Sequence, residues 1–350
     1  MKIQFVLPPN YNQAVGGYKI VFQYANWLSD RGHDVHIYFM LLDEPIVISL
    51  VRQIKRKLLG QSTINNTLTW YKLSEKVTMH YNVSHRVIES ISDGILVATF
   101  FKTAKNILNA NVLKNDKYYL IQDYEIFAGS QKDVDTTWRY DLKKIVISEW
   151  LLKKSEELGV SAELVPNFID DAEFYPVQLL NENPIVSMLW HENPRKKSIL
   201  GLEAIKLAKK QIPNLKAIFF GKGKAPADFP NWITYYQNAT ITQLREKIYG
   251  QSTLYLMTSD FEGWGLTAME AMAVNIPVIS TENGGIRNFA NDDTAFIIPI
   301  NDLSEMSHAI VTLINDDDKR AQLKNNATKK IQDFTLTNSG HALEKEFAKY

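Results

Sequence analysis

Apolar positions along the chain change period in a regular way. "KIQFVLP" is a short apolar run that predicts a strand. After Gly16 and Gly17, "YKIVFQYANWLSDRG" spaces its apolar residues as a helix does, and "HDVHIYF" alternates as a strand does. That is a βαβ opening. "GILVATF", "KYYLIQD" and "KKIVISEW" follow, each with room for a helix or loop behind it, as a parallel sheet with crossover helices requires. Turn formers with Pro176 and Pro184 then crowd "NFIDDAEFYPVQLLNENP" and predict a joint. A second series begins, "IVSML", "LKAIFFG", "WITYY", "TLYLM", "PVIST" and "AFIIP", with helical segments between its members. The pattern predicts two α/β domains in tandem, 1–176 and 177–350, the last helix being a candidate to return to the first. A ligand cleft between such domains is the default place for chemistry.

Composition narrows the class. With 350 residues and 45% hydrophobic content the chain suits two soluble globular domains. Its 39 basic and 39 acidic residues cancel, so no overall field draws it onto nucleic acid, and no nucleic-acid partner is expected. The absence of cysteine excludes disulfides and thiolate sites and fits a reducing compartment. "MKIQFVLPPNYNQ" reaches two prolines too soon for a signal peptide, and no run approaches the roughly 20 apolar residues of a membrane span, which predicts a cytoplasmic protein. One stretch qualifies this. Residues 46–60 place Arg52, Lys55, Arg56 and Lys57 among Ile48, Leu50, Val51, Ile54, Leu58 and Leu59. That is either a basic amphipathic helix lying peripherally on the inner face of an anionic membrane or an ordinary core-facing helix with a basic outer side.

The densest chemistry lies in "SDFEGWGLTAMEAMA", residues 259–273, between an apolar β-rich run and a helix end followed by Pro277. Glu262 and Glu270 therefore sit where a parallel strand hands over to a helix, the place where open α/β sheets bind ligands. A helix starting near Gly265 or Leu266 points the amides of Leu266, Thr267 and Ala268 outward, where donors and the helix dipole stabilise a diphosphate. Eight helical residues span about 12 Å, roughly the reach of a nucleotide sugar. One ionised acid can accept from sugar hydroxyls while the other takes a ribose diol, and Gly263 and Gly265 let backbone approach a ligand. The alternative is a solvated glutamate pair beside a glycine-broken turn.

"EGWGLTAME" resembles the E-x7-E signature of the family 4 retaining glycosyltransferases of GT-B fold, and "AMAVNIPVISTENGG" is similar to the stretch that follows it in that family. "VPNFIDDAEFYP" resembles the family's inter-domain joint, "DRGHDVHIYF" its second strand, and "VGGYKIVFQYANWL" its glycine loop and first helix. The resemblance covers residues 1 to about 300. It implies two Rossmann-like domains facing a cleft and sugar transfer with retention from a nucleotide diphosphate donor. It further implies that Glu262 contacts the donor sugar, that Phe261 and Gly263 shape the turn, that Glu270 holds the ribose, and that Leu266 and Thr267 present amides to the diphosphate. Gly16 and Gly17 let backbone approach the phosphates or the acceptor, a tight turn being the other reading. In the family an Arg and a Lys neutralise the diphosphate. Lys196 of "HENPRKKSILGLEA" matches the Lys, whereas the Arg position falls near His191, so Arg195 takes the second cationic role. Where the family often has "HD", this chain has Gln122 and Asp123. Asp123 and Glu125 are candidates for acceptor hydroxyls, with capping or a salt bridge as the alternative.

Other motifs are weaker. "GKGKAP", 221–226, lacks the spacing and final Ser or Thr of a triphosphatase loop and reads as a plain turn or a loop bordering the nucleotide base. Asp133 and Asp135 in "KDVDTT" have the D-x-D spacing of a metal-dependent transferase, but no strand enters them. The chain offers no clear pair of carboxylates for a double displacement. The expectation is thus a metal-independent, front-face, retaining transfer from a nucleotide sugar, UDP-linked by preference, with neither cofactor nor metal, to a glycan, lipid-linked or protein acceptor in surface glycan, glycolipid or glycoprotein synthesis. Two rivals remain, a non-catalytic sugar-nucleotide-binding partner of another transferase and a nucleotide-sugar epimerase of the same fold.

Overall fold

The computed structural model describes residues 1–41, 64–177 and 183–349, and the basic run 46–60 lies outside them. The chain divides into two compact units, Met1–Asn167 with Leu336–Tyr350, and Phe168–Thr335.

The first unit is built on β1 (Lys2–Leu7), β2 (Asp34–Met40), β3 (Val77–Val83), β4 (Ile95–Ala98), β5 (Lys117–Ile121), β6 (Lys143–Val146) and β7 (Glu163–Leu164). The spatial order is β3-β2-β1-β4-β5-β6-β7, with every pairing parallel. Ile3, Phe5, Val6 and Leu7 are fully buried, which is why "IQFVL" reads as a continuous apolar run: a central parallel strand is covered on both faces. β3 and β7 were not announced by the periodicity. β3 is an edge strand buried only at its two ends, and β7 has two residues, so neither carries a strong apolar signal.

The second unit repeats the plan with β8 (Ile185–Leu189), β9 (Lys216–Gly221), β10 (Ile233–Gln237), β11 (Leu254–Met257), β12 (Val278–Thr281) and β13 (Phe296–Ile298), ordered β10-β9-β8-β11-β12-β13. Helices Ser198–Gln211 and Leu303–Asn315 bring Ala204, Ile205, Ala208, Met306, Ile310 and Leu313 onto Val186, Met188, Phe219, Leu254 and Leu256. Both sheets reverse strand order once, between β1 and β4 and between β8 and β11. Each reversal opens a crevice at the carboxyl ends of those strands.

The division falls after Asn167 rather than at 176/177. The turn-rich segment belongs to the second unit because it is tied there: the Ile169 amide donates to the Phe334 carbonyl at 2.9 Å, Arg245 Nη1 donates to the Glu173 carbonyl at 2.8 Å, and the Phe174 ring packs on Tyr249. The C-terminal helix Leu336–Phe347 belongs to the first unit, where it lies along helix Gly16–Asp30. The Tyr24 hydroxyl and Ser339 Oγ are 2.6 Å apart, the Trp27 ring meets His341 edge-on, and Glu344 holds both Arg31 (2.9 Å) and His33 (2.7 Å). Gly340 is required there, since a Cβ would come within 2.7 Å of the Trp27 ring.

Candidate functional site

The crevice between β8 and β11 is furnished by three loops. After β11 the chain passes through Ser259–Gly265 into helix Leu266–Ala273, and Gly265 makes that entry at φ +104°, a conformation that favours glycine. The loop after β12 clamps this turn from behind. The Glu262 amide donates to the Asn283 carbonyl at 3.1 Å, the Thr281 hydroxyl donates to the Ser259 carbonyl at 2.5 Å, and Gly285 lies so close that a Cβ would sit 2.5 Å from the Trp264 carbonyl oxygen.

The third loop follows β8. Asn193 caps a short turn, Pro194–Lys196, by accepting the Arg195 amide at 3.0 Å, and Lys197 leaves it at φ +50°. Two bonds staple this turn to the strand-β11 loop: the Thr258 hydroxyl donates to the Lys196 carbonyl at 2.6 Å, and the Asp260 amide donates to the Arg195 carbonyl at 2.9 Å. Gly201 lets the following helix come close, because a Cβ there would meet Met188 Sδ at 2.3 Å and Thr258 Cγ2 at 2.7 Å.

These constraints converge on Glu262. Its Oε1 accepts from Lys196 Nζ at 2.5 Å and from the Ser259 hydroxyl at 2.6 Å, and the residue is 8% exposed. Burial pushes the carboxyl up, but the charge and hydrogen bond of Lys196, then the Ser259 hydroxyl and the Arg195 charge, together outweigh it and hold Glu262 below its ordinary value. It is an ionised, oriented acceptor. Around it, the Arg195 guanidinium lies over the Phe261 ring at 5.7 Å and Lys197 pairs with Asp260 at 3.0 Å.

Glu270, also buried, is held from the other side: the Tyr249 hydroxyl donates to Oε2 at 3.0 Å. Burial and then the Glu270 charge raise Tyr249 well above its ordinary range, so it stays a donor. The Tyr255 hydroxyl donates to Thr267 Oγ1 at 2.7 Å, fixing the first turn of the helix. Lys196, Tyr255, Ser259, Glu262 and Thr267 line one small cavity. Glu262, Lys196, Arg195, Phe261, Gly263, Gly265, Leu266, Thr267 and Glu270 are thus gathered within the second unit.

The remaining sequence candidates lie in the first unit. Gly16 and Gly17 are the first two residues of helix Gly16–Asp30 rather than a loop before it, and a Cβ on Gly17 would meet the Gln122 amide group at 3.3 Å. Asp123 Oδ1 accepts the Tyr124 amide at 2.8 Å. Glu125 takes the capping alternative: its Oε2 accepts the Phe101 amide at 2.7 Å, at the start of helix Phe101–Leu108, and the Tyr119 hydroxyl at 3.1 Å. Burial, with the nearby Asp123 charge as a lesser contribution, pushes this carboxyl up to about 8. Asp133 and Asp135 both lie on helix Gln131–Trp138, the first bonded to the Ser130 hydroxyl and the second to the Tyr124 hydroxyl. Among the described residues no group of three or more His, Cys, Asp or Glu is placed to hold a metal ion, and no helix is long and apolar enough to cross a membrane.

Sequence reasoning missed Ser259, Tyr249, Asn283 and Gly285. Only the glycine pair of "TENGG" signalled any of them; a serine and a tyrosine that orient carboxylates look like any other.

Residues 171–330 match the family model Glycosyl transferases group 1. Over 95% of its length the chain is 20% identical to a phosphatidyl-myo-inositol mannosyltransferase of Mycolicibacterium smegmatis, spanning 90% of that protein. It is 23% identical to the capsular polysaccharide biosynthesis glycosyltransferase CapM of Staphylococcus aureus over 44% of this chain and 43% of the relative. Among solved structures it is similar to a sucrose-phosphate synthase from Thermosynechococcus elongatus (TM-score 0.74, 16% identity, 98% of each chain). It is also similar to Anabaena HepE in complex with UDP-glucose (TM-score 0.74, 14% identity, all of each chain). The fold is GT-B, and the stretch that matches the family model lies within the second unit.

Proposed function

We propose that the protein is a retaining glycosyltransferase that moves a sugar from a nucleotide diphosphate donor, UDP-linked by preference, to an acceptor hydroxyl in glycan, glycolipid or glycoprotein synthesis. The observation that carries this reading is the Lys196–Glu262 pair, stapled at the strand reversal beside the amino end of helix Leu266–Ala273. A solvated glutamate pair would have neither its burial nor its partners.

In this reading Glu262, kept ionised by Lys196 and Ser259, accepts from the sugar hydroxyls, and Glu270, oriented by Tyr249, takes the ribose. The diphosphate lies against the amides of Leu266, Thr267 and Ala268, with Lys196 and Arg195 as its cations. Phe261, Gly263 and Gly265 shape the turn. Gly16 and Gly17 bring backbone to the donor phosphates or to the acceptor, and Asp123 takes acceptor hydroxyls. The acceptor hydroxyl attacks the anomeric carbon on the face the diphosphate leaves. The departing diphosphate takes the acceptor's proton, while fixed amides and cations stabilise its growing charge. No metal enters that scheme, and the enzyme works in the cytoplasm or against the inner face of the membrane. HepE, whose structure holds UDP-glucose, supports the uridine preference.

The test is release of nucleoside diphosphate from a panel of UDP-, GDP- and ADP-sugars, with and without acceptor glycans. Acceptor-dependent release supports the reading. Binding without release identifies a non-catalytic partner, and interconversion of the donor sugar without net release identifies an epimerase.

A further inference from the structure

His191 follows β8 and Lys222 follows β9, its immediate neighbour. Leu189 is in register with Phe220, the Trp190 amide donates to the Phe220 carbonyl at 2.7 Å, and Gly221 packs against the Trp190 carbonyl so closely that a Cβ would come within 2.3 Å. Three bonds hold the loop that carries Lys222: the Asn238 amide to the Gly221 carbonyl (2.8 Å), Gln237 Nε2 to the Lys222 carbonyl (3.1 Å) and the Tyr235 hydroxyl to the Gly223 carbonyl (2.7 Å).

The chemistry of the pair is complementary. The Asn193 amide donates to His191 Nδ1 at 2.9 Å, so the neutral ring carries its proton on Nε2 and presents a hydrogen-bond donor. Partial desolvation of the ring, followed by the charges of Lys196 and Lys222, pulls the imidazole down to about 4, Glu262 opposing and Arg195 adding a little. It is uncharged at neutral pH. Lys222 is half-buried and pulled down to about 8 by burial alone. Lys196 has Glu262 at 2.5 Å, whereas no carboxylate of the described residues pairs with Lys222 Nζ. Glu192, the nearest acid on this loop pair, faces Gly223. Cations therefore gather round a neutral donor at the carboxyl ends of β8 and β9, and the charge at Lys222 is left for a ligand to meet.

We propose that His191 and Lys222 form a second diphosphate-binding arm of the donor site, Lys222 giving the positive charge and His191 a neutral Nε2–H. The inference rests on the transferase reading above. It gives this chain a way to neutralise two phosphates without an arginine at position 191: charge and hydrogen bonding, which a guanidinium would combine, are divided between two strand ends. Anion binding favours the protonated amine of Lys222, so binding draws in a proton near pH 8. The groups facing this amine and imidazole are Arg195, Lys196, Glu262 and Glu192, and the change of charge between pH 7 and 9 is assigned to Lys222.

The test is isothermal titration of the full chain with UDP, GDP, UMP and uridine, on wild type, Lys222→Met, Lys222→Arg and His191→Phe, with unfolding temperatures as the fold control. Lys222→Met is expected to weaken UDP by about tenfold at pH 7, a loss of about 1.4 kcal/mol, to weaken UMP less and to leave uridine unchanged. Wild-type affinity for UDP falls between pH 7 and 9, and Lys222→Arg removes that fall. His191→Phe weakens UDP without altering the profile between pH 5 and 7. Wild-type-like UDP binding by Lys222→Met, while Lys196→Met loses affinity, overturns the second arm alone. A wild-type protein that binds neither UDP nor GDP overturns the transferase reading and this inference with it.

Discussion

Replacing Lys196 by Met removes a charge from a nearly buried pair while keeping the length of the side chain, and the consequence can be worked from the geometry. Removing one partner of a buried ion pair costs about 3–5 kcal/mol. Here Glu262 keeps the Ser259 hydroxyl at 2.6 Å, and the Lys196 and Glu262 side chains retain 18% and 11% exposure. Those contacts with solvent and hydroxyl reduce the expected loss to about 2–3 kcal/mol at pH 8. For a unit of this size that is about 5–10 °C in unfolding temperature. In the wild type the Glu262 carboxyl is held low, so its contribution is fully present above the ordinary glutamate range and fades as pH falls through its folded value. In the variant the burial of Glu262 is opposed only weakly, its pKa rises, and ionisation penalises the folded state as pH climbs. The loss should therefore be larger at pH 8 than at pH 5. Calorimetry of wild type, Lys196→Met, Glu262→Gln and the double variant at both pH values measures it. A loss equal at pH 5 and pH 8, or a coupling energy within about 0.5 kcal/mol of zero, would refute the account of Glu262 as an acid kept ionised by Lys196.

Further expectations follow from other contacts. Glu262→Gln should fold normally and lose about 100-fold or more in transfer, and turnover close to wild type would remove this acid from the site. Gly285→Ala drives a methyl group against the Trp264 and Glu262 carbonyls; a destabilisation of about 1–3 kcal/mol with loss of donor binding is expected, and unchanged nucleotide affinity would argue against the clamp. Glu344, held down to about 2 first by the Arg31 hydrogen bond and also by His33, stabilises the folded chain above its ordinary range and loses that effect as pH falls toward 2. Glu344→Gln should accordingly lower the unfolding temperature at pH 7 and hardly at all near pH 2.5. Excess EDTA should leave transfer nearly intact; activity abolished by chelation, restored by Mn²⁺ and absent in Asp133→Ala would overturn the amide-and-cation mechanism.

Both sheets were legible because buried parallel strands write long apolar runs, and the six strands of the second unit all stand where such runs occur. β3 was not, since its middle residues face partly outward and its alternation is weak. The joint was misplaced for a related reason. Prolines and acidic residues announce a turn but not which unit holds it, and here one amide of Ile169 and the Phe174 ring decide. Glu262 and Glu270 were singled out by glycine spacing and position after a strand, and Lys196 by the family resemblance alone. Ser259 and Tyr249 were not, because a hydroxyl's partner is a matter of three-dimensional proximity. Glu125, legible only as one of two acids after a strand, proved to close a helix end.

The excursion of the last helix has a consequence for biogenesis. Residues 336–347 complete the packing of the first unit, yet they are made after the whole of the second. A nascent chain thus exposes the Tyr24, Trp27 and Arg31 side of its first helix throughout synthesis of the second unit, and only the second unit has its full complement of residues before the chain's end emerges. Ribosome-bound chains halted before residue 336 should therefore leave the first unit sensitive to protease while the second is already resistant, and the stretch closed last is the one most open to chaperones.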